Sequence, residues 1–80
     1  MMPTLRYFAA AAEAAGTAQE TVIGADVAGV LADAVDRHGP RLAHVVAHSS
    51  LLLDGRYVQD RNVSLAEGDV LDVLPPFAGG

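Results

Sequence analysis

Eighty residues, 51% of them apolar, suffice for one small core, and a formal net charge of −5 makes nucleic acid a poor partner, because phosphate binding needs clustered Lys and Arg. No apolar run approaches the ~20 residues that span a bilayer, and the alanines at residues 9–12 are too few and lack the basic leader of a signal peptide. No membrane association is therefore expected, and the expected compartment is the cytoplasm. Cysteine and lysine are both absent, so disulfides, thiolate metal sites, side-chain persulfides and side-chain isopeptide acceptors are excluded; the basic residues are Arg6, Arg37, Arg41, Arg56 and Arg61.

Residues 4–8 read as a first strand, with Leu5 and Tyr7 on one face and Thr4 and Arg6 on the other. Phe8 breaks the alternation and is expected to cover the sheet edge. Residues 9–15 are helix formers, and Gly16 sits where a left-handed C-cap belongs. Residues 19–23 read as a second strand, antiparallel to the first. Residues 26–38 form the clearest helix. Asp26 is a suitable N-cap, and Val27, Val30, Leu31, Ala34 and Val35 make one apolar stripe. Arg37 and His38 suit its last turn, and Gly39-Pro40 stops it. Gly29 inside it costs about 1 kcal/mol relative to alanine, which close packing on the sheet would explain.

Residues 41–48 fit either a helical turn or a strand, and a short second helix is favoured. Leu51, Leu52 and Leu53, then Asp54-Gly55, then Arg56, Tyr57 and Val58 read as a hairpin on a type I′ turn. Residues 59–64 are polar loop, and Leu65 plugs the core. Glu67-Gly68-Asp69 turns the chain into a last strand, residues 70–74, apolar enough to be central. Pro75-Pro76 ends the sheet and stiffens the exit of the chain. This order suits an α+β fold of the β-grasp type: a mixed sheet of about five strands with one main helix across one face. Residues 1–80 are expected to be a single domain, with 75–80 as a flexible C-terminal tail.

The diglycine Gly79-Gly80 is the most informative feature. Glycine lacks Cβ, so such a tail can thread a narrow tunnel and present its last carbonyl carbon to chemistry in another protein. Pro75 to Gly80 would reach ~20 Å if extended. A terminal carboxylate has a pKa of ~3.5, is ionised at neutral pH and is a poor electrophile until activated. The working group is therefore expected to be Gly80 itself.

The spacing Leu65-x-x-Gly68-Asp69-x-Leu71-x-x-x-Pro75-Pro76-Phe77-Ala78-Gly79-Gly80 resembles the C-terminal signature of the MoaD/ThiS family of ubiquitin-like sulfur carriers. Tyr7-Phe8-Ala9, a short helix and Gly16 are similar to that family's opening. The Pro-Pro-apolar-small-Gly-Gly ending is most similar to that of the molybdopterin synthase small subunit. Residues 41–50 and 59–64 depart from the shortest members, and Asp54-Gly55 stands where many have Asn-Gly. The resemblance implies that a ubiquitin-activating-like adenylyltransferase (MoeB-like) consumes ATP to adenylate Gly80. A sulfur donor protein then converts it to a thiocarboxylate. The tail would enter a large subunit (MoaE-like), in a heterotetramer, and pass sulfur to cyclic pyranopterin monophosphate for molybdenum cofactor biosynthesis. No cofactor is expected to be bound by the chain, and general acid–base roles would fall to the large subunit.

In this reading Gly79, Ala78, Phe77, Pro76 and Pro75 thread the tail. Phe77 is an apolar anchor for the partner or packs back on its own domain. Val70 and Leu74, if they face away from the helix, form a docking patch, or else are ordinary sheet surface. Other readings are a carrier for thiamine or cysteine synthesis, a ubiquitin-like protein modifier, or an interaction module without covalent chemistry. His44 and His48 have a metal-compatible spacing but no third ligand in sight, so no metal site is assigned. Ser49-Ser50 lacks a base, and Asp33 and Asp36 read as a solvated helix face.

Overall fold

The computed structural model describes residues 2–76. Its elements run β1 (Thr4–Tyr7), α1 (Ala10–Ala15), β2 (Gln19–Thr21), α2 (Val27–His38), α3 (Pro40–Ala47), β3 (Ser50–Leu53), β4 (Arg56–Tyr57) and β5 (Val70–Leu74). The five strands form one mixed sheet in the order β2-β1-β5-β3-β4. β1 and β5 pair in parallel; β1–β2, β3–β5 and β3–β4 pair antiparallel. This is the expected α+β, ubiquitin-like β-grasp arrangement, with β5 central. The core lies between the sheet and the helices: Leu5 and Tyr7 of β1 and Leu71 and Val73 of β5 meet Val27, Val30, Leu31 and Ala34 of α2 and Leu42 of α3. The long helix does not cover that face alone, because α3 packs against both α1 and α2. Leu65 plugs the core at 4% exposure, as expected.

Several boundaries move for local reasons. Ala9 lies outside α1, at φ 51°, and turns the chain out of β1 before the helix begins at Ala10. Gly16 caps α1 at φ 74° and donates its N–H to the Ala12 carbonyl. β2 stops at Thr21 rather than residue 23: Val22 is buried, whereas Ile23 is exposed and gives its N–H to Asp33 Oδ2 at 2.9 Å. Asp33 also pairs with Arg37, so it is a clamp rather than a purely solvated helix residue. Gly39-Pro40 stops α2, but Pro40 also opens α3, since a first helical position needs no N–H donor. α3 accordingly spans Pro40–Ala47 with His48 as its C-cap. Asp54 and Gly55 have φ of 54° and 81°, as the type I′ turn requires.

Gly29 does not pack on the sheet as expected. A Cβ there would meet Asp26 Oδ1 at 3.0 Å and Gly24 Cα at 3.6 Å, and the tighter contact belongs to Gly24, where it would lie 2.7 Å from Val30 N. The two glycines let the β2–α2 connection lie directly against the first turn of α2. That turn is fully bonded. Asp26 accepts the Gly29 N–H at 2.7 Å, while the Val27 and Ala28 N–H groups donate to the carbonyls of Val63 and Arg61. The polar loop at residues 59–64 thus caps α2.

A polar cluster ties β1, β2 and α2 together. The buried Tyr7 hydroxyl donates to Glu20 Oε2 at 2.5 Å, and His38 Nε2 shares the same oxygen at 2.6 Å. Burial pushes the Tyr7 phenol far above its ordinary value, and the bond to Glu20 raises it further. Burial also pushes Glu20 up, but hydrogen bonds from Tyr7 and His38 and the charges of His38 and Arg37 outweigh it, and its value falls below 4.5. In the unfolded chain Glu20 holds its proton to higher pH, so stability rises with pH through this window. The contribution is complete above about pH 4.5 and is lost as pH falls through the lower folded value. Glu20→Gln is expected to cost roughly 1–2 kcal/mol at neutral pH and to flatten the acid limb of a melting-temperature profile. Equal acid limbs in both proteins would show that Glu20 carries no such coupling.

Candidate functional site

Alternation along β5 sorts its side chains: Leu71 and Val73 are buried under the helices, and Val70, Asp72 and Leu74 lie on the opposite face. The register sets Arg6 and Leu52 beside Asp72, Ser50 beside Leu74, and Tyr57 beside Leu52. Val70 and Leu74 therefore meet the condition set for a docking patch, lying on the face away from the helices. Val70 is exposed and Leu74 half-buried.

A bidentate ion pair crosses this open face. Arg6 Nε and Nη2 donate to Asp72 Oδ1 and Oδ2 at 2.6 and 2.9 Å. The Arg6 guanidinium carbon lies 5.4 Å from the Phe8 ring centroid, within cation–π range. Phe8 does not cover a sheet edge. β1 is flanked by β2 and β5, and the Phe8 N–H donates to the Val73 carbonyl at 3.2 Å, so the ring continues the Arg6 face beside the end of β5. There a cleft of about 650 Å³ opens, lined by Phe8, Tyr57, Leu74, Pro75, Pro76 and His48 among others. Phe8 is 39% and Tyr57 74% exposed, an unusual display of aromatic surface on so small a domain.

Pro75 and Pro76 thus leave the sheet in a wall of this cleft. Phe77, Ala78, Gly79 and Gly80 lie outside the described residues, so their threading and anchoring roles are not observed. Neither Phe8 nor Tyr57 was singled out from sequence as part of the site. The signal was present, since period two carries Phe8 onto the face of Arg6 and the hairpin register carries Tyr57 onto that of Leu52. Ser49 donates its hydroxyl to the Val45 carbonyl at 2.7 Å, a local bond at the end of α3. Among the described residues no three His, Cys, Asp or Glu side chains converge as a metal site, and no helix is long and apolar enough to cross a membrane. The arrangement can present an apolar surface and hold the root of a tail; it groups no set of side chains into a catalytic constellation.

Comparisons with known proteins agree with this geometry. No curated protein sequence matches the chain significantly. Among solved structures, small archaeal modifier protein 1 from Haloferax volcanii is 28% identical with a TM-score of 0.86, covering 100% of both chains. A putative molybdopterin converting factor subunit 1 from Pyrococcus furiosus is 27% identical with a TM-score of 0.83, covering 96% of this chain and 99% of that one. A chain in the complex of subunits 1 and 2 of molybdopterin-converting factor from Helicobacter pylori shares the fold at 22% identity and a TM-score of 0.73, with 100% of both chains covered. The ThiS family profile matches residues 5–80, nearly the whole sequence, and the chain belongs to that family, with the ubiquitin-like fold common to its sulfur carriers and modifiers.

Proposed function

We propose that this chain is a sulfur carrier acting as the small subunit of molybdopterin synthase. The observation that carries the reading is the position of Pro75-Pro76. The central strand, hydrogen-bonded on both sides, delivers them into an exposed apolar cleft between Phe8 and Tyr57. A rigid strand fixes where the tail starts, and the surrounding apolar surface supplies a docking face for the protein that receives it. Similarity to the Pyrococcus furiosus protein over almost the whole chain supports the same reading.

In this proposal Gly80 is the reacting residue. An adenylyltransferase joins its carboxylate to AMP from ATP and releases pyrophosphate. A donor that delivers sulfur at the sulfide level then attacks the acyl carbon and displaces AMP, leaving a thiocarboxylate. Gly79 and Ala78 present little bulk to a tunnel, Phe77 anchors in the partner's groove, and Pro75 and Pro76 keep the exit extended. Val70 and Leu74 dock a large subunit, in a heterotetramer, where the thiocarboxylate sulfur passes to cyclic pyranopterin monophosphate. The carrier binds no cofactor of its own.

A second reading, a protein modifier joined through Gly80 to lysines of other proteins, is favoured by the similarity to small archaeal modifier protein 1. The chain has no lysine of its own, so such modification would stop at single units on side chains. Intact-mass spectrometry after incubation with an activating enzyme, ATP and a sulfur source separates the two. Exchange of one terminal oxygen for sulfur supports the carrier, and adducts on other proteins' lysines support the modifier. An unchanged mass under conditions that convert a known carrier would overturn both.

A further inference from the structure

The chain has three histidines, and the proposed function gives no chemical role to two of them. His38 is engaged with Glu20 at 2.6 Å. His44 and His48 stand one turn apart in α3 and at its C-cap, both exposed, and line a second, smaller cleft of about 290 Å³ with Pro75 and Pro76; His48 alone also borders the cleft of Phe8 and Tyr57. We propose that His44 and His48 form a two-nitrogen chelate for a late first-row divalent cation, Cu2+, Ni2+ or Zn2+, at the root of the tail.

The geometry is that of a chelating pair. The ring centroids are 4.8 Å apart and the planes are tilted by 48°, so the rings are close neighbours that do not stack in parallel. Two imidazole nitrogens on one tetrahedral ion, each at about 2.05 Å, lie roughly 3.4 Å apart. Small side-chain rotations bring ring nitrogens at this centroid spacing to that separation. The second observation concerns protonation. His48 Nδ1 lies 2.9 Å from the His44 carbonyl oxygen. A carbonyl only accepts, so Nδ1 carries the proton and donates, and Nε2 keeps its lone pair. A backbone carbonyl on the far nitrogen is the arrangement that orients metal-binding imidazoles elsewhere. Here helix α3 supplies both the ligand and the group that orients it.

The ligand set selects the ion. Two neutral imidazoles favour Cu2+, Ni2+ and Zn2+ over the oxygen-seeking Mg2+ and Ca2+. The net charge of −5 favours cations near the surface, while Arg41, one turn earlier on α3, opposes them in part. The remaining coordination positions would be open to water or to a sulfur or oxygen ligand brought by a partner. The consequence is a cation held beside the root of the chain's reactive segment without any cysteine.

The test uses the full chain without an affinity tag. Ni2+ and Cu2+ are titrated by isothermal titration calorimetry, with NMR of the histidine rings in parallel. Expected are one equivalent of bound ion, perturbation of the His44 and His48 rings with His38 unaffected, and no response to Mg2+. His44→Ala and His48→Ala should each lower the affinity by at least about tenfold, the lower bound of what losing a mere outer-shell partner costs. Both side chains are exposed, and circular dichroism confirms that each variant is folded. Unchanged affinity in either variant, or no binding of either ion at millimolar concentration, overturns the proposal. This outcome is independent of whether Gly80 carries sulfur.

Discussion

Alanine in place of Gly24 is expected to lower the melting temperature by roughly 10–20 °C. Its Cβ would lie 2.7 Å from Val30 N and 2.9 Å from both Gly29 C and Val30 Cγ1. Two of those atoms are helix backbone, which cannot rotate away. The first turn of α2 would have to move off the β2–α2 connection, loosening the bonds that Val63, Arg61 and Asp26 make to its N-terminal N–H groups. Overpacking costs about 1–3 kcal/mol in ordinary cores, and a collision with backbone belongs at the upper end. For a domain of this size each kcal/mol is worth roughly 4–8 °C. Gly29→Ala is the control. Its one tight contact is the Asp26 carboxylate at 3.0 Å, the 3.6 Å approach to Gly24 Cα being ordinary packing, and the gain in helix propensity, about 1 kcal/mol, offsets that contact. Thermal unfolding followed by circular dichroism compares the two, and equal, small shifts would mean that α2 is not seated on Gly24.

Deleting Gly80, or adding one residue after it, is expected to abolish thiocarboxylate formation and sulfur transfer while changing stability by less than about 0.5 kcal/mol. The proposed chemistry requires a free carboxylate on the last residue, at a fixed reach from the cleft. One residue shifts the acyl carbon by about 3.5 Å along an extended chain. Misplacement by ~1 Å already costs a reaction about a hundredfold. The core identified here ends at Val73, well before the diglycine, so the fold should not register the change. Mass spectrometry of the product and a melting curve on the same sample read both outcomes. Sulfur loading of the shortened chain would refute the role of Gly80, and a large drop in melting temperature would refute a tail independent of the core.

What could be read before the structure was whatever depends on near neighbours in sequence. The stripe from Val27 to Ala34 gave α2, Asp54-Gly55 gave the hairpin turn, and the apolar residues after Asp69 marked a strand in the middle of the sheet. What could not be read depends on tertiary partners. The salt bridge between Arg6 and Asp72 spans 66 positions and exists only because β1 and β5 pair in parallel. Gly29 looked costly inside its helix, but the glycine with the closest contacts is Gly24, whose neighbours come from α2. Pro40 was legible as a stop and not as a start, because a proline allows both. Phe8 looked like an edge residue until the sheet order placed β1 between two strands. For the candidate site, the orientation of Val70 and Leu74 followed from period two, whereas the aromatic walls required the register of three separate strands.

The strand that leads into the tail is gripped along both edges, by β1 in parallel and by β3 antiparallel. A pull on the chain beyond Leu74 would load those two rows of hydrogen bonds in shear, many at once, instead of peeling them one by one. The domain would thus bear traction applied beyond β5. A machine that reels in the terminus would meet mechanical resistance at Pro75 and would draw no further length from the sheet.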